Sequence, residues 1–129
     1  LALAQRFLRQ LVSGVIHLHD LDIIHTDLSM ANMLLVRRPS NGYEPSGDTL
    51  RISDMGGAVC AQAAVLDHGD VITTEYCRAP EIFLGAASYT SAVDWWAVNV
   101  QVKIKHQHPP VCTKSYLSRN LLSKFTQPI

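Results

Sequence analysis

The chain has 129 residues with 47% hydrophobic content, enough for one packed domain or for part of a larger one. Lys and Arg total 11, as do Asp and Glu, so no basic field points to nucleic acid or to an anionic membrane. No apolar run approaches the roughly 18 residues of a spanning helix and no basic-then-apolar leader opens the chain, so an intracellular protein, cytoplasmic or nuclear, is the expectation.

From Ala4 to Leu18, the residues Phe7, Leu8, Leu11, Val12, Val15, Ile16 and Leu18 recur at helical spacing, with Arg6, Gln10, Ser13 and His17 opposite. This pattern predicts an amphipathic helix. DIIHTD, residues 22–27, breaks that period. ANMLLV (31–36) and TLRIS (49–53) then read as two short strands around a loop rich in Pro, Gly, Ser and Asn, a hairpin. The chain from SDMGG to Thr74 is weakly patterned and predicts a long loop. Pro80 suits the first turn of a short helix and Gly85 its exit. SAVDWWAVNV (91–100) reads as a helix whose entry, Ser91 with Asp94, has the spacing of a capping box.

From Lys103 onward a Pro pair, scattered charge and a weak apolar period between Tyr116 and Phe125 mark a tail. The expected division is therefore residues 1–102 and an unmatched 103–129. Cys60, Cys77 and Cys112 stand far apart with no CxxC pair, and are expected as reduced thiols.

Asp27 stands five residues before Asn32, between aliphatic runs. A loop carboxylate can take a proton and an amide oxygen can hold a metal ion. Equally, both residue types are common turn formers, because their side chains satisfy nearby backbone groups. Spacing alone leaves both readings open.

Three motifs then follow in order: HTDLSMAN (25–32), DMG (54–56) and TTEYCRAPE (73–81). Together with SAVDWWA they resemble the protein kinase family, and RAPEIFLG with YTSAVDWWA is most similar to its cyclin-dependent and MAP kinase group. The resemblance covers roughly Leu8 to Val98. It implies a mainly α fold with a short β-hairpin, an incomplete C-terminal lobe of a protein-kinase-like fold. It also implies transfer of the ATP γ-phosphate to protein Ser/Thr, with Mg as the metal. Asp27 would receive the acceptor proton, Asn32 and Asp54 would hold Mg and nucleotide, and Thr74 would position Asp27. Arg78, Pro80 and Glu81 would shape the substrate platform, His25 would be structural, and Asp94 would brace the catalytic loop. A protein substrate is the implied partner, with a cyclin-like activator acting through the N-terminal lobe, and neither nucleic acid nor membrane is implied.

Simpler readings stand beside these. Asp94 fits a helix cap as well as a brace. HLHD (17–20) is not read as a metal site, since His17 falls on the polar helix face and His19 matches a packing position. His106 and His108 lie in the tail. Trp95 and Trp96 read as core or interface aromatics rather than as a stacking platform for bases.

Several residues depart from the family pattern. Thr26 stands where regulated members carry an Arg that binds an activation-loop phosphate, and residues 56–72 contain no Ser, Thr or Tyr. Control by that phosphorylation is therefore not expected, with Asp67 or Asp70 as stand-in charges. Ser29 replaces a Lys that touches the transferred phosphate, Met55 replaces the Phe of the metal triplet, and Asn99 replaces a Gly. No Gly-rich loop or VAIK pattern occurs, and the chain opens on Leu1. The expectation is a kinase fragment, with a pseudokinase lobe acting as a binding module as the alternative.

Overall fold

The apolar stripe near the start of the sequence builds the longest element. In the computed structural model, which describes residues 2–37, 47–63 and 73–104, helix α1 runs Ala2–Asp20 and buries Phe7, Leu11 and Val15. Burying each such side chain contributes about 1.5–3 kcal/mol. The chain turns away at Asp22, whose φ of 57° lies in the left-handed region that a short Asx side chain tolerates.

Strands β2 (Met33–Val36) and β3 (Thr49–Ile52) pair antiparallel, with Met33 opposite Ile52 and Val36 opposite Thr49. The expected hairpin is present. Most of its connecting loop, residues 38–46, lies outside the described residues. Helix α1 lies close against β3 at Gly14, where a Cβ would come within 2.9 Å of Ile52 Cδ1. Gln10 Oε1 accepts from the Leu50 amide at 2.8 Å, and Arg6 donates to the Asp48 carbonyl, so polar contacts pin the same face.

Two further strands are too short for periodicity to reveal. β1 (Ile23–Ile24) pairs antiparallel with β4 (Val59–Cys60). Tight 3-10 turns at Met55–Gly57 and Ala61–Ala63 flank β4, so the stretch read as one long loop carries structure as far as Ala63. Residues 64–72, with Asp67 and Asp70, lie outside the described residues.

The short helix α2 (Pro80–Phe83) starts on its Pro, and Gly85 leaves it at φ 75°. Helix α3 (Ala92–Ile104) continues past Lys103. Its entry differs from the expected capping box: the Ala92 amide donates to Thr90 Oγ1 at 3.3 Å, and the Asp94 carboxylate is engaged elsewhere. Residues 105–129, with His106, His108 and Cys112, lie outside the described residues.

Two apolar clusters meet on α3. One joins Leu11 and Val15 of α1 to Leu28, Met33, Cys77, Ala97 and Val98, and the other joins Ile24, Ala79, Tyr89 and Val93. Trp95 packs on the first cluster, while Trp96 is 44% exposed. Leu28, in the connection between β1 and β2, is 1% exposed, so that loop is anchored in the core. The fold is mainly helical with small antiparallel strand pairs, as expected. No described helix is long and apolar enough to cross a membrane.

Candidate active site

The site is built on residues 25–32, which connect β1 to β2. Its foundation is Asp94 of α3, 1% exposed. One Asp94 oxygen accepts from the His25 amide at 2.8 Å and from His19 Nε2 at 2.9 Å, and the other accepts from the Thr26 amide at 3.0 Å. A buried carboxylate is tolerated only when donors surround it, and here they do. Of the two readings open for Asp94, the side chain takes the bracing one. His19 also meets Trp95 edge-on, with ring centroids 5.6 Å apart.

His25 is fully buried. Its Nδ1 accepts from the Asp27 amide at 3.3 Å, so the proton sits on Nε2, which donates to the Ser53 carbonyl at 3.0 Å. With both ring nitrogens engaged inside the protein, His25 ties the loop to the end of β3.

Asp27 is held from two sides. Its Oδ1 accepts from the Thr74 amide at 2.8 Å and from the Thr74 hydroxyl at 2.6 Å, and its Oδ2 accepts from Asn32 Nδ2 at 3.0 Å. Asn32 Nδ2 donates also to the Asp27 carbonyl at 2.8 Å. These bonds fix the Asn32 amide plane through its nitrogen. The Asn32 backbone carbonyl accepts from both the amide and the hydroxyl of Ser53, at 2.9 and 3.0 Å. Asp54 therefore follows directly on a residue clamped to Asn32. It is exposed, with φ 62°, and its Oδ1 accepts from the Gly56 amide at 3.3 Å.

Asp27 and Asp54 line one cleft of 370 Å³ with Thr26, Gly56, Gly57, Thr73 and Thr74. A larger groove of 590 Å³ runs between α1 and β3 and shares none of these residues. The two carboxylates, with Thr74 and Gly56 as donors, converge on the smaller cleft, whereas Asn32 does not line it. Among the described residues no three His, Cys, Asp or Glu side chains gather as a metal cage. The Asn32 and Asp54 oxygens instead suit a hard cation such as Mg, which takes one or two protein oxygens and completes its shell with water and phosphate.

Arg78, Pro80 and Glu81 follow Thr74 in sequence but do not line the cleft. Arg78 reaches back to it indirectly, with Nη2 donating to the Thr73 carbonyl at 3.4 Å. Ser29 is buried at 2% exposure, and no cationic side chain lines the cleft among the described residues. His17 is exposed and joins no metal-ligating group.

Two groups near the site had no signal in the sequence. Cys77 is fully buried, and its thiol is pushed up to about 12, first by burial and then by the Asp27 charge, against a lowering hydrogen bond from Gln101. Gln101 Nε2 bridges Cys77 Sγ at 3.1 Å and the Leu28 carbonyl at 3.2 Å, tying α3 to the 25–32 loop. Cys77 is thereby an inert core thiol rather than a nucleophile.

Compared with known proteins, residues 2–126 match the protein kinase domain. The chain is 38% identical over 89 residues to human cyclin-dependent kinase 11A, which takes in 69% of this chain and 10% of that protein. It is 41% identical over 91 residues to cyclin-dependent kinase E-1 of Arabidopsis thaliana, covering 69% of this chain and 18% of the relative. Serine/threonine-protein kinase SSN3 of Mycosarcoma maydis is 39% identical over 101 residues, 76% of this chain and 13% of that protein. The chain thus spans between a tenth and a fifth of the length of these relatives.

Proposed function

Because the chain belongs to the protein kinase family, in the group that resembles cyclin-dependent and MAP kinases, we propose that it forms the phosphoryl-transfer part of a Ser/Thr protein kinase. The observation that carries this reading is the Asp27 carboxylate, fixed by Thr74 on one oxygen and Asn32 on the other, at the wall of the cleft that Asp54 shares.

In this reading the acceptor hydroxyl of a protein Ser or Thr enters the cleft beside Asp27. The bond between that oxygen and the γ-phosphorus of ATP forms as the bond to the β-γ bridging oxygen breaks, and the hydroxyl proton passes to Asp27. The Thr74 hydrogen bonds hold the carboxylate in its receiving orientation. His25 and Asp94 hold the backbone on which it stands. Asn32 and Asp54 would hold Mg, whose positive charge would be set against the phosphates. ATP would be held jointly with a further lobe, and a cyclin-like activator, in keeping with the relatives' names, would act through that lobe.

The Thr73 carbonyl accepts from Arg78 Nη2, which takes up one of its two acceptor positions. A peptide residue without an N–H next to the acceptor would give up least at this wall, so a Ser-Pro peptide is a suitable test substrate.

A second reading has its own observation. Among the described residues no cationic side chain lines the cleft, and the buried Ser29 supplies no charge. A lobe of this kind would serve as a docking surface without catalysis. The two readings separate on the full-length parent protein, assayed for Mg-dependent ADP formation with a Ser-Pro peptide. Asp27→Asn should lower kcat by about 100- to 10,000-fold if Asp27 is the base. A native protein that forms no ADP with Mg and any peptide, or one indifferent to Asp27→Asn, would overturn the catalytic reading.

A further inference from the structure

Thr26 immediately precedes Asp27, is 2% exposed, and lines the same cleft. Its φ of 69° lies in the left-handed region, where a β-branched residue carries a cost of about 1–2 kcal/mol. Such a conformation persists only where the surroundings enforce it. Two bonds do so here. The Thr26 amide donates to Asp94 Oδ1 at 3.0 Å, and its hydroxyl donates to the Gly57 carbonyl at 2.8 Å.

Gly57 ends the tight turn that starts from Asp54. That turn is closed internally by the Ala58 amide on the Met55 carbonyl at 3.1 Å and by the Gly56 amide on Asp54 Oδ1. It therefore moves as one unit with Asp54. A Cβ added at Gly57 would lie 3.0 Å from Thr26 Oγ1, so the two segments are already in close contact. Among the described residues, the Thr26 hydroxyl makes the hydrogen bond that joins the catalytic loop to this turn.

We infer that Thr26 is a positioning residue: through the Gly57 carbonyl, its hydroxyl sets where the Asp54 turn stands relative to Asp27. A continuous path then runs from α3 through Asp94 and Thr26 to Gly57 and Asp54. The link needs no added group. Residues 56–72 contain no Ser, Thr or Tyr, so the turn is held without phosphorylation of that stretch. The functional importance of this link rests on the reading of Asp27 as base and Asp54 as metal ligand.

The test uses the full-length protein with Thr26→Val, which keeps the shape and the backbone cost but lacks the hydroxyl, and Thr26→Ser, which restores it. Thr26→Ala, also without the hydroxyl, serves as the second probe if the valine variant does not fold. Two readouts are taken: the Mg concentration for half-maximal rate together with kcat and peptide KM, and amide exchange of residues 55–60. Loss of one such hydrogen bond should raise the Mg half-saturation and the exchange rate by about tenfold each. Peptide KM should stay within about twofold, because the Asp54 turn is placed against the metal and not the peptide. Thr26→Ser should match the native protein. Native exchange and native Mg dependence in Thr26→Val would overturn the inference, as would a serine variant as impaired as the valine one. If the native protein transfers no phosphate, the catalytic reading falls while the exchange readout still decides whether the hydroxyl holds the turn.

Discussion

Thr74 donates both its amide and its hydroxyl to a single oxygen of Asp27, at 2.8 and 2.6 Å, across 47 residues of sequence. The second oxygen faces Asn32, so rotation of the carboxylate breaks bonds on either side. Removing only the hydroxyl loosens one side of this grip. Thr74→Val should lower kcat about tenfold, the effect of one lost hydrogen bond to a charged group, with KM for ATP little changed. Thr74→Ser should stay near the native rate. Initial-rate kinetics on the full-length protein read the difference, and equal rates for all three forms would dismiss the contact as incidental.

Asp94 accepts three hydrogen bonds in a buried setting. Its replacement by Ala strands the His25 and Thr26 amides without acceptors. Asp94→Ala is expected to destabilise the fold by about 3–5 kcal/mol, and Asp94→Asn by less, since one acceptor oxygen remains. Denaturant midpoints measure both. A surface-like change, within about 0.5 kcal/mol, would contradict the bracing geometry.

Burial, with the Asp27 charge, pushes the Cys77 thiol up to about 12 in the folded chain from an ordinary value of 9.0. Above pH 9 the unfolded chain releases this proton while the folded one keeps it. The sign is therefore a stability contribution fully present below about pH 9 and lost as pH rises towards about 12. At pH 10 the loss is on the order of 1 kcal/mol. Cys77→Ala should flatten this alkaline slope, whatever it does to stability at neutral pH, and urea midpoints at pH 8 and pH 10 give the comparison. In the native protein, iodoacetamide should modify the exposed Cys60 well before Cys77.

Gly85 leaves α2 at φ 75°, and a Cβ built there meets nothing within 4 Å. The cost of Gly85→Ala is therefore backbone strain alone, about 1 kcal/mol. A thermal midpoint unchanged from native would show that this exit relaxes to another conformation.

How much of this was legible depended on the range of the interactions. Helix α1 and the β2–β3 hairpin follow from local periodicity, which the chain carries in every turn. β1 and β4, each a pair of residues, are too short to display a period, and their pairing joins Ile23 to Cys60 across the intervening chain. The Ser91 to Asp94 spacing matched a cap, yet tertiary donors claimed the Asp94 carboxylate, because two loop amides and His19 had no other acceptor. The order of the motifs brought Asp27, Asn32, Asp54 and Thr74 under consideration. Their actual contacts, and those of Thr26 with Gly57 or Gln101 with Cys77, depend on chain segments meeting in space, and no pattern of residue types announced them.

Thr26, Asp54 and Thr73 surround the cleft, and all three hold positive φ without being glycine. Asp54 and Thr73 would relax if replaced by Gly or Asn, whereas Thr26 would also give up its bond to Gly57, so the cheapest route to a hardier protein runs through the first two, at the very rim of the site. A selection for heat tolerance alone should enrich substitutions at Asp54 and Thr73 and yield proteins that melt later and work worse. Variants recovered that way would map, by their losses, the part of the molecule in which rigidity is spent on chemistry rather than on survival.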